Sequence, residues 1–440
     1  MTDRVKTCYV ETYGCQMNVA DAELMGGILA RGGYREVDRP QDADVILLNT
    51  CAIRDHAERR VLGRVSDLSR LRRERPGLVL GVCGCMAQRL GGRLNEKSPF
   101  VDFVVGPDAY RSLPQIIERA ARREDGRLAV VDFNPAENYE DLEVRRQSRV
   151  SAWVPIQRGC NYRCTYCIVP YTRGDEKNRA PEKILEETRA IAAAGITEVT
   201  LLGQTVNSYR SGDWDFPRLL AAVARVAGIR RVRFTSPHPR DFTPALADAM
   251  AEEPAVCPHL HLPAQSGSNA VLKRMIRRYT REEYLGKVSL LRDRIPDVAI
   301  TTDLIVGFPG ETDEEFEQTL SLVREVEYDD AFTFRFSPRD GTPATRMPAE
   351  WAVPDETAQE RLERLIAEVR TIAARKNAAE VGGRREVLVE KRAKRGDLLQ
   401  ARTPQNKVVL VDGPDDWIGT YRTVVLTGTT GATFTGFSVS

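Results

Sequence analysis

Short runs of apolar residues alternate with longer stretches of helical periodicity through the first third of the chain. The apolar runs are Cys8–Thr12, Val45–Leu48, Leu78–Val82 and Val101–Val105. Strands that alternate with helices in this way form a parallel sheet covered on both faces. The pattern therefore predicts an N-terminal parallel α/β domain over residues 1–133. A charged stretch with few apolar residues follows and predicts a linker over residues 134–150.

The alternation resumes after the linker with longer units. The predicted strands are 153–157, 198–202, 232–235, 259–262, 300–306 and 332–336. Pro181 suits the first position of a helix, and Thr312 with Glu315 forms a capping box at the start of another. Repeated βα units favour a partial (β/α)6 barrel over residues 151–376, with its chemistry at the C-terminal ends of the strands. A doubly wound sheet is the alternative.

The hydrophobic pattern changes again near the C-terminus. Residues 355–381 form one long amphipathic helix, with apolar positions on a single face. Five short runs with turn residues between them follow, which is typical of a small all-β barrel. We expect this barrel to occupy residues 377–440.

Composition narrows the class of protein. Of the 440 residues, 42% are hydrophobic and 29% charged, and no apolar run is long enough for a membrane span. The first 16 residues lack the apolar core of a secretory signal, so we expect a cytoplasmic protein. The net charge of +1 gives no global indication of a nucleic-acid partner.

Three of the nine cysteines lie within eight residues of one another. Cys160, Cys164 and Cys167 occupy the loop that follows the first predicted barrel strand. Three thiolates can bind three irons of a [4Fe-4S] cluster and leave the fourth iron open to another ligand. The alternative is a structural zinc site, which needs a fourth protein ligand. The candidates for that ligand, His238, His259 and His261, are remote in sequence.

Three other cysteines share a position relative to the predicted strands. Cys15, Cys51 and Cys85 each lie just past the C-terminal end of a strand, about one βα unit apart. These ends meet at one edge of a parallel sheet, so the three thiols could hold a second cluster. Each could instead be a buried small apolar residue. Cys83 is an alternative ligand that faces the other way, and we expect Cys8 and Cys257 to be packing residues.

Several segments resemble known families. Cys160-x3-Cys164-x2-Cys167 is similar to the radical S-adenosylmethionine superfamily. The segments that resemble the methylthiotransferases are Thr12–Asn18, Asn49–Arg54, Gly84–Gln88, Cys167–Gly174 and Asp303–Thr312. Within that family, the sequence resembles most closely the MiaB type, which modifies tRNA. The branch that modifies an aspartate of a ribosomal protein is the alternative.

The resemblance implies a three-domain layout that ends in an RNA-binding TRAM domain. It also implies that Cys160, Cys164 and Cys167 hold the [4Fe-4S] cluster that cleaves S-adenosylmethionine. Cys15, Cys51 and Cys85 would then hold a second [4Fe-4S] cluster that carries the sulfur. The chain departs from the family pattern at Thr205, Asp175 and Asn178, which puts local substrate or cofactor contacts in doubt.

Polar and small residues near the cysteine loop and the ends of the predicted barrel strands are candidate contacts to S-adenosylmethionine. They are Tyr166, Gln204, Ser236, Gln265 and Gly307. A simple turn at residues 203–207 and a packing role for Gly307 are the alternatives.

Basic residues are concentrated in the C-terminal domain. Between residues 384 and 407 there are eight basic and three acidic side chains. A basic surface on a small β-barrel suits a phosphate backbone, although an ordinary solvated surface would look the same. The candidate RNA-binding residues are Lys391, Arg392, Lys394 and Arg395.

The resemblance implies a radical S-adenosylmethionine enzyme that places a methylthio group on C2 of N6-isopentenyladenosine 37 of tRNA. The expected partners are the tRNA anticodon stem-loop and an electron donor such as flavodoxin or ferredoxin. We expect a monomer and no membrane partner. The alternatives are methylthiolation of the ribosomal-protein aspartate or of threonylcarbamoyladenosine in tRNA, and an RNA-binding iron–sulfur sensor without catalysis.

Overall fold

The N-terminal part of the chain forms a parallel sheet between helices. The computed structural model describes residues 5–52, 55–123, 126–394 and 396–439, so Ile53, Arg54 and Arg395 lie outside it. The elements are β1 Lys6–Tyr13, α1 Gln16–Arg31, β2 Tyr34–Glu36, β3 Val45–Thr50, α2 Asp55–Glu74, β4 Val79–Gly84, α3 Cys85–Leu90, α4 Gly92–Lys97, β5 Phe103–Val105, α5 Leu113–Arg122 and β6 Leu128–Val130. Across these described ranges, the strand order is β2-β1-β3-β4-β5-β6 with every pairing parallel.

The two faces of this sheet explain why its central strands are continuous apolar runs. Along β3, Val45 and Leu47 pack in the core that contains α1, whereas Ile46 and Leu48 pack in the core that contains α2. A strand covered on both faces has no solvent-facing position for a polar residue. The predicted parallel α/β domain is confirmed. The edge strands β2 and β6 have only three residues each and carry no recognisable pattern.

The central part of the chain is a partial barrel. Its elements are β7 Ser151–Pro155, β8 Gln157–Arg158, α6 Val169–Arg173, β9 Lys177–Asn178, α7 Pro181–Ala193, β10 Glu198–Leu202, β11 Arg210–Ser211, β12 Trp214–Asp215, α8 Phe216–Ala224, β13 Arg231–Phe234, α9 Pro244–Glu252, β14 His259–His261, α10 Asn269–Arg274, α11 Arg281–Arg294, β15 Ala299–Val306, α12 Asp313–Val326, β16 Asp330–Arg335 and α13 Asp355–Ala379.

Six parallel strands of this region follow one another in chain order. One sheet has the order β7-β10-β13 and the other the order β14-β15-β16. A parallel bridge between Val232 and Val256 continues the first sheet towards the second. Within the described part of the chain, β7 and β16 do not pair, so the barrel is open. The predicted capping box of Thr312 and Glu315 is confirmed, as is Pro181 at the first helical position.

The C-terminal part forms a closed five-stranded barrel, as predicted. Its strands are β17 Arg384–Arg392, β18 Leu399–Arg402, β19 Val408–Val411, β20 Tyr421–Thr429 and β21 Thr433–Val439. Going around the barrel, their order is β17-β18-β19-β21-β20. Nine side chains fill its interior, among them Val389, Leu426 and Phe434.

Buried arginines of β13 hold the small barrel against the central domain. Arg231 donates a hydrogen bond to the carbonyl oxygen of Arg402 at 2.8 Å, and Arg233 donates one to that of Thr403 at 2.9 Å. Lys407 forms an ion pair of 3.1 Å with Asp329, which precedes β16. These contacts lie at the N-terminal ends of the barrel strands. The small barrel therefore lies at the opposite end from the loops that carry the cysteines.

The segment predicted as a linker contains no helix or strand, but it is anchored at several points. Tyr139 is 5% exposed and donates a hydrogen bond to the carbonyl oxygen of Pro107 at 2.8 Å. Glu137 pairs with Arg111 at 2.6 Å. The backbone of Gln147 donates to Glu23 at 3.0 Å. The domain boundaries themselves stay predictions. None of the described helices is both long and apolar enough to cross a membrane.

Candidate iron–sulfur centres and nucleic-acid interface

Cys15, Cys51 and Cys85 meet at the carboxyl edge of the N-terminal sheet. Cys15 caps α1 directly after β1, Cys51 follows β3, and Cys85 is the first residue of α3 after β4. Because β1, β3 and β4 are neighbours in the sheet, their C-terminal ends lie side by side. The strand order reverses at β1, which is where ligands bind in open α/β sheets. Thiols of Cys15 and Cys51 are within hydrogen-bond reach of each other.

Two asparagines tie the loops of Cys15 and Cys51 together. The Asn18 side chain accepts a hydrogen bond from the backbone of Cys15 at 3.2 Å and donates one to the carbonyl oxygen of Thr50 at 3.1 Å. Asn49 donates to the carbonyl oxygen of Asn18 at 2.6 Å. Asn18 and Asn49 are both fully buried. Both residues belong to the family-like segments Thr12–Asn18 and Asn49–Arg54, but no pattern in the sequence indicates their role.

Glycines allow these loops to approach closely. Gly84 has φ +95°, and a Cβ there would lie 2.4 Å from the carbonyl oxygen of Thr50. At Gly14, a Cβ would lie 2.9 Å from that of Cys51. The backbone that presents Cys85 is therefore available only to glycine at position 84.

The remaining cysteines of this domain pack in the core. Cys8 and Cys83 are 1% and 0% exposed and lie in the core beside α1. Burial raises the pKa of both thiols, that of Cys8 to about 12. Cys83 faces the packed side of the sheet, whereas Cys85 lies at its edge, and so Cys83 makes no part of the three-cysteine group. Cys257 is also buried, at the end of the short bridge to β13.

The second group of cysteines lies in the loop between β8 and α6. Gly159 precedes it with φ +77°, and a Cβ there would lie 2.0 Å from the carbonyl oxygen of Asp175. The backbone of Cys160 donates to the carbonyl oxygen of Gly174 at 3.1 Å, and that of Cys167 donates to Cys164 at 3.0 Å. These contacts fold the loop on itself, so the three thiols share one small region at the C-terminal end of the barrel.

Arg277 brings a buried positive charge to this loop. Its guanidinium donates to the sulfur of Cys164 at 3.5 Å and to the hydroxyl of Tyr166 at 3.3 Å. Its side chain also donates to the carbonyl oxygen of Pro263 at 3.2 Å. Arg277 is 6% exposed, and its position would compensate negative charge on the thiolates. No motif in the sequence pointed to this residue.

Two thiols of the loop, those of Cys160 and Cys167, have raised pKa values. Burial raises the pKa of Cys160, although the hydroxyl of Thr205 partly offsets this. Burial and the neighbouring Cys164 raise the pKa of Cys167 to about 12. Cys15 differs, because the hydrogen bond with Cys51 lowers its pKa to about 6 despite its burial. Binding of a metal would displace protons from the thiols of the loop.

Apolar packing connects the loops of the two cysteine groups at the boundary between the domains. Cys85 and Ala52 pack with Ile168, the residue after Cys167. Cys15 and Trp153 of β7 each pack against a small cluster that contains Leu202, at the end of β10. Each cysteine group therefore borders a small apolar cluster at this boundary, and four of the six cysteines are buried.

Both groups suit a [4Fe-4S] cluster held by three thiolates. The thiols are largely shielded from water, each site has a nearby guanidinium, and each cluster would keep one iron without a protein ligand. A single metal ion fits less well. Within the described ranges, no three His, Cys, Asp or Glu side chains lie close enough to bind one ion. His238 instead stacks on Tyr162 at 4.0 Å, and His261 contacts Asp303 at 3.4 Å.

Candidate contacts to S-adenosylmethionine lie at the same end of the barrel as the cysteine loop. Gln204 follows β10, and its Oε1 atom is buried without a hydrogen-bond partner among the described residues. Ser236 after β13 has φ +59°, and Gln265 after β14 has φ +68°. Left-handed backbone at residues other than glycine is uncommon and concentrates at functional sites. These three residues and Tyr166 stay predictions as cofactor contacts.

The packing of α13 explains why residue 307 is a glycine. A Cβ at this position would lie 2.7 Å from the Cβ of Ala358 on α13, so only glycine allows the helix to approach. Its backbone N–H donates to Glu311 at 2.7 Å and is already occupied. The geometry gives no support to its predicted cofactor contact.

Of the three departures from the family pattern, one touches a cysteine. The hydroxyl of Thr205 lies 3.3 Å from the sulfur of Cys160, so this change falls at the cysteine loop itself. Asp175 is on the surface and pairs with Arg163 at 2.6 Å. Asn178 donates to Glu176 at 3.1 Å.

The C-terminal basic residues divide into paired and unpaired groups. Arg392 pairs with Asp415 at 2.7 Å. Arg385, Arg402 and Lys407 also have acidic partners. Among the described residues, Lys391 and Lys394 are exposed without an ion pair. The charge available to a phosphate backbone is therefore smaller than the composition indicates, because Asp329, Glu380 and Asp415 outside the counted stretch neutralise part of it.

Three family profiles match the chain. The Radical SAM superfamily matches residues 154–323, the uncharacterized protein family UPF0004 matches residues 7–106, and the TRAM domain matches residues 378–434. These matches fall in the central barrel, the N-terminal α/β domain and the C-terminal small barrel, respectively.

Similar proteins extend over nearly the whole chain. A tRNA-2-methylthio-N(6)-dimethylallyladenosine synthase of Caldicellulosiruptor saccharolyticus is 46% identical over 94% of this chain and 88% of its own. Proteins of the same name from Carboxydothermus hydrogenoformans and Geobacillus thermodenitrificans are also 46% identical, over 94% and 98% of this chain and 95% and 83% of their own.

Solved structures share the fold at low identity. The radical S-adenosylmethionine methyltransferase TsrM of Kitasatospora setae has a TM-score of 0.60 at 17% identity, over 79% of this chain and 78% of its own. The cobalamin-dependent enzyme OxsB has a TM-score of 0.56 at 14% identity, over 84% of this chain and 57% of its own. The curated relatives are far closer in sequence, and by their identity and coverage this chain belongs to the MiaB family of radical S-adenosylmethionine methylthiotransferases.

Proposed function

We propose that this protein places a methylthio group on C2 of N6-isopentenyladenosine 37 in tRNA. The observation that carries the proposal is the pair of three-cysteine groups that border apolar contacts at the same domain boundary. Methylthiolation of an unactivated ring carbon needs both a radical source and a sulfur donor. Two iron–sulfur sites, one in the N-terminal domain and one in the central barrel, would match that requirement. The curated relatives carry the name of this activity.

The two groups of cysteines would hold two different clusters. Cys160, Cys164 and Cys167 would hold one [4Fe-4S] cluster, and Cys15, Cys51 and Cys85 a second. When bound with S-adenosylmethionine, these groups supply the radical and the sulfur-bound methyl group. The side chains would orient the bound groups, and Trp153 and Leu202 would keep water from the space between them.

The rest of the chain would hold the RNA. An anticodon loop presents bases that can be splayed out of the stack and taken into a pocket. Exposed Lys391 and Lys394 on the small barrel would contact phosphates of the same RNA. The further expectations are a monomer in the cytoplasm and an electron donor such as flavodoxin or ferredoxin.

The decisive experiment uses protein reconstituted anaerobically with iron and sulfide, and tRNA that carries the isopentenyl group but lacks the methylthio group. After incubation with S-adenosylmethionine and a reductant, mass spectrometry of the nucleosides should show the methylthio product. Absence of this product on isopentenylated tRNA would reject the proposal. Modification of threonylcarbamoyladenosine or of a ribosomal protein instead would favour an alternative substrate, and cluster binding without turnover would favour the sensor.

Two matched variants test the division between the sites. Cys160→Ala should abolish cleavage of S-adenosylmethionine, whereas Cys15→Ala should preserve cleavage and stop sulfur transfer. Iron content should be about eight per chain in the parent and about four in either variant, as expected for two four-iron clusters. About four irons in the parent would contradict the second site.

A further inference from the structure

A group of three buried charges lies between the N-terminal domain and the central barrel. The carboxylate of Asp21 on α1 is 2.6 Å from the guanidinium of Arg173 and 2.9 Å from that of Arg158. The side chains of Asp21, Arg158 and Arg173 are 0%, 5% and 4% exposed. One carboxylate cannot neutralise two guanidinium groups. Taken by themselves, these three buried side chains therefore leave one positive charge uncompensated.

An excess buried charge costs several kcal/mol unless another group compensates it. The geometry offers a partner in Cys85, whose sulfur accepts a hydrogen bond from Nε of Arg173 at 3.2 Å. In addition, Nη1 of Arg173 is buried without a hydrogen-bond partner among the described residues. A neutral thiol would leave the excess charge in place. A negatively charged group bound at Cys85 would remove it.

The position of Arg173 along the chain links the two cysteine groups. Arg173 is the last residue of α6, which starts two residues after Cys167. The segment Cys167–Arg173 therefore contributes a thiol to one site and a hydrogen-bond donor to the other. α6 also packs against α3, the helix that begins with Cys85.

We propose that Arg173 is a positioning residue of the Cys15, Cys51 and Cys85 cluster. It donates a hydrogen bond to the sulfur of Cys85 and compensates the negative charge of the cluster, while Asp21 holds its guanidinium in place. The proposal rests on the proposed function, because it requires a cluster at these three cysteines. The reduction potential of an iron–sulfur cluster depends on nearby charge and on hydrogen bonds to its sulfurs. Arg173 therefore stabilises the reduced, more negative form.

The test uses full-length protein in which Cys160, Cys164 and Cys167 are all replaced by alanine, so that only the other cluster binds. Redox titration followed by electron paramagnetic resonance gives its midpoint potential. With Arg173→Met, the ratio of reduced to oxidised cluster at a fixed potential should fall at least about tenfold, which is about 59 mV for one electron. With Asp21→Asn, the shift should have the opposite sign, because the excess positive charge increases.

Arg146→Met is the matched control. Arg146 also joins the linker to the central domain, through Glu187 and the carbonyl oxygen of Trp153, but contacts no cysteine. The cluster in the Arg146→Met variant should have the same midpoint potential as the cluster in the parent. If Arg173 and Asp21 only support the fold, their variants should shift the midpoint potential in the same direction or not at all. Charge compensation predicts shifts of opposite sign for the two variants.

The outcomes separate this inference from the proposed function. A parent protein that binds no iron would contradict the second cluster, and with it the proposed function. A fully loaded Arg173→Met protein with an unchanged potential would overturn the role of Arg173 alone. Loss of iron from Arg173→Met, with normal circular dichroism and with Arg146→Met fully loaded, would support the positioning role. Arg173→Lys, which keeps the charge, should then recover part of the iron.

Discussion

At the scale of single residues, Gly84 determines where Cys85 lies. Its φ of +95° and ψ of −160° belong to a region that is open to glycine, and a Cβ would lie 2.4 Å from the carbonyl oxygen of Thr50. Gly84→Ala should therefore destabilise the N-terminal domain by about 3 kcal/mol and displace Cys85. Denaturant unfolding and the iron content of the reconstituted protein would measure the two effects.

Gly63→Ala provides the control for this prediction. Gly63 lies within α2, and a Cβ added there would meet nothing within 4 Å apart from its chain neighbours and the backbone of the helix itself. Alanine should stabilise this helix by up to about 1 kcal/mol and leave the iron content unchanged. Equal losses of stability in both variants would contradict the role given to Gly84.

A second residue-scale prediction concerns His238 and pH. Burial, together with the positive charges of Arg277, Arg240, Lys287 and Arg278, lowers the pKa of His238 to about 2. Because the folded pKa lies below the unfolded value of 6.5, stability is full above pH 6.5 and is lost as the pH falls. Between pH 7 and pH 5 this residue alone should cost about 2 kcal/mol.

His238→Gln removes the titrating group and keeps a polar side chain. The midpoint of denaturant unfolding should then change less between pH 7 and pH 5 than it does in the parent. Because every other titrating group is common to both proteins, the difference between them isolates His238. An unchanged pH dependence in the variant would show that His238 has the same pKa in the folded and the unfolded protein.

At the scale of elements, β13 decides how the small barrel is attached. Arg233 is buried against Glu198 and the carbonyl oxygens of Thr403 and Pro404. Arg233→Ala would leave Glu198 buried without its positive partner, at a cost of about 3–5 kcal/mol for the broken buried pair. We expect the junction near Val381 to become sensitive to limited proteolysis.

Arg230→Ala is the matched control on the same element. Its side chain is 50% exposed, lies over the ring of Tyr421 and pairs with Glu386. Exposed pairs contribute at most about 1 kcal/mol, so proteolysis should change little. Similar cleavage of both variants would show that the buried hydrogen bonds of Arg233 do not hold the barrel in place.

The elements also show what the sequence could predict. The three cysteines of the N-terminal sheet were found because parallel strands end at a common edge. Arg173 was not found, because its ion pair with Asp21 joins residues 152 positions apart and depends on how two domains dock. Gly307 could not be assigned from sequence, since a glycine that admits a helix and one that admits a ligand look alike. Edge strands of three residues carry too few positions to show a period.

At the scale of the whole molecule, the net charge of +1 is an average over parts with different roles. Lys391 and Lys394 are exposed and unpaired among the described residues, whereas Asp415 neutralises Arg392. The double variant Lys391→Gln with Lys394→Gln should weaken binding of tRNA. It should also reduce the slope of log affinity against log salt by about 1.5, as expected for two lost phosphate contacts.

The control for this prediction is Arg392→Gln, measured in the same salt series. Because its charge is already paired, the slope should change by clearly less than the value of about 0.75 expected for one lost phosphate contact. A change of about 0.75 or more would mean that the ion pair opens when RNA binds. Fluorescence anisotropy with labelled tRNA at several salt concentrations would distinguish the two results.

The attachment of the small barrel has a consequence for the size of the substrate. The cysteine loops lie at one end of the central strands, and Arg231 and Arg233 fix the small barrel at the other. The strands between these ends are about 20 Å long. Because both ends are fixed, the distance between the cysteine loops and the small barrel is also fixed. An RNA that contacts both at once must have a rigid segment of matching length. An isolated loop cannot provide one, so recognition would extend to the length of the stem.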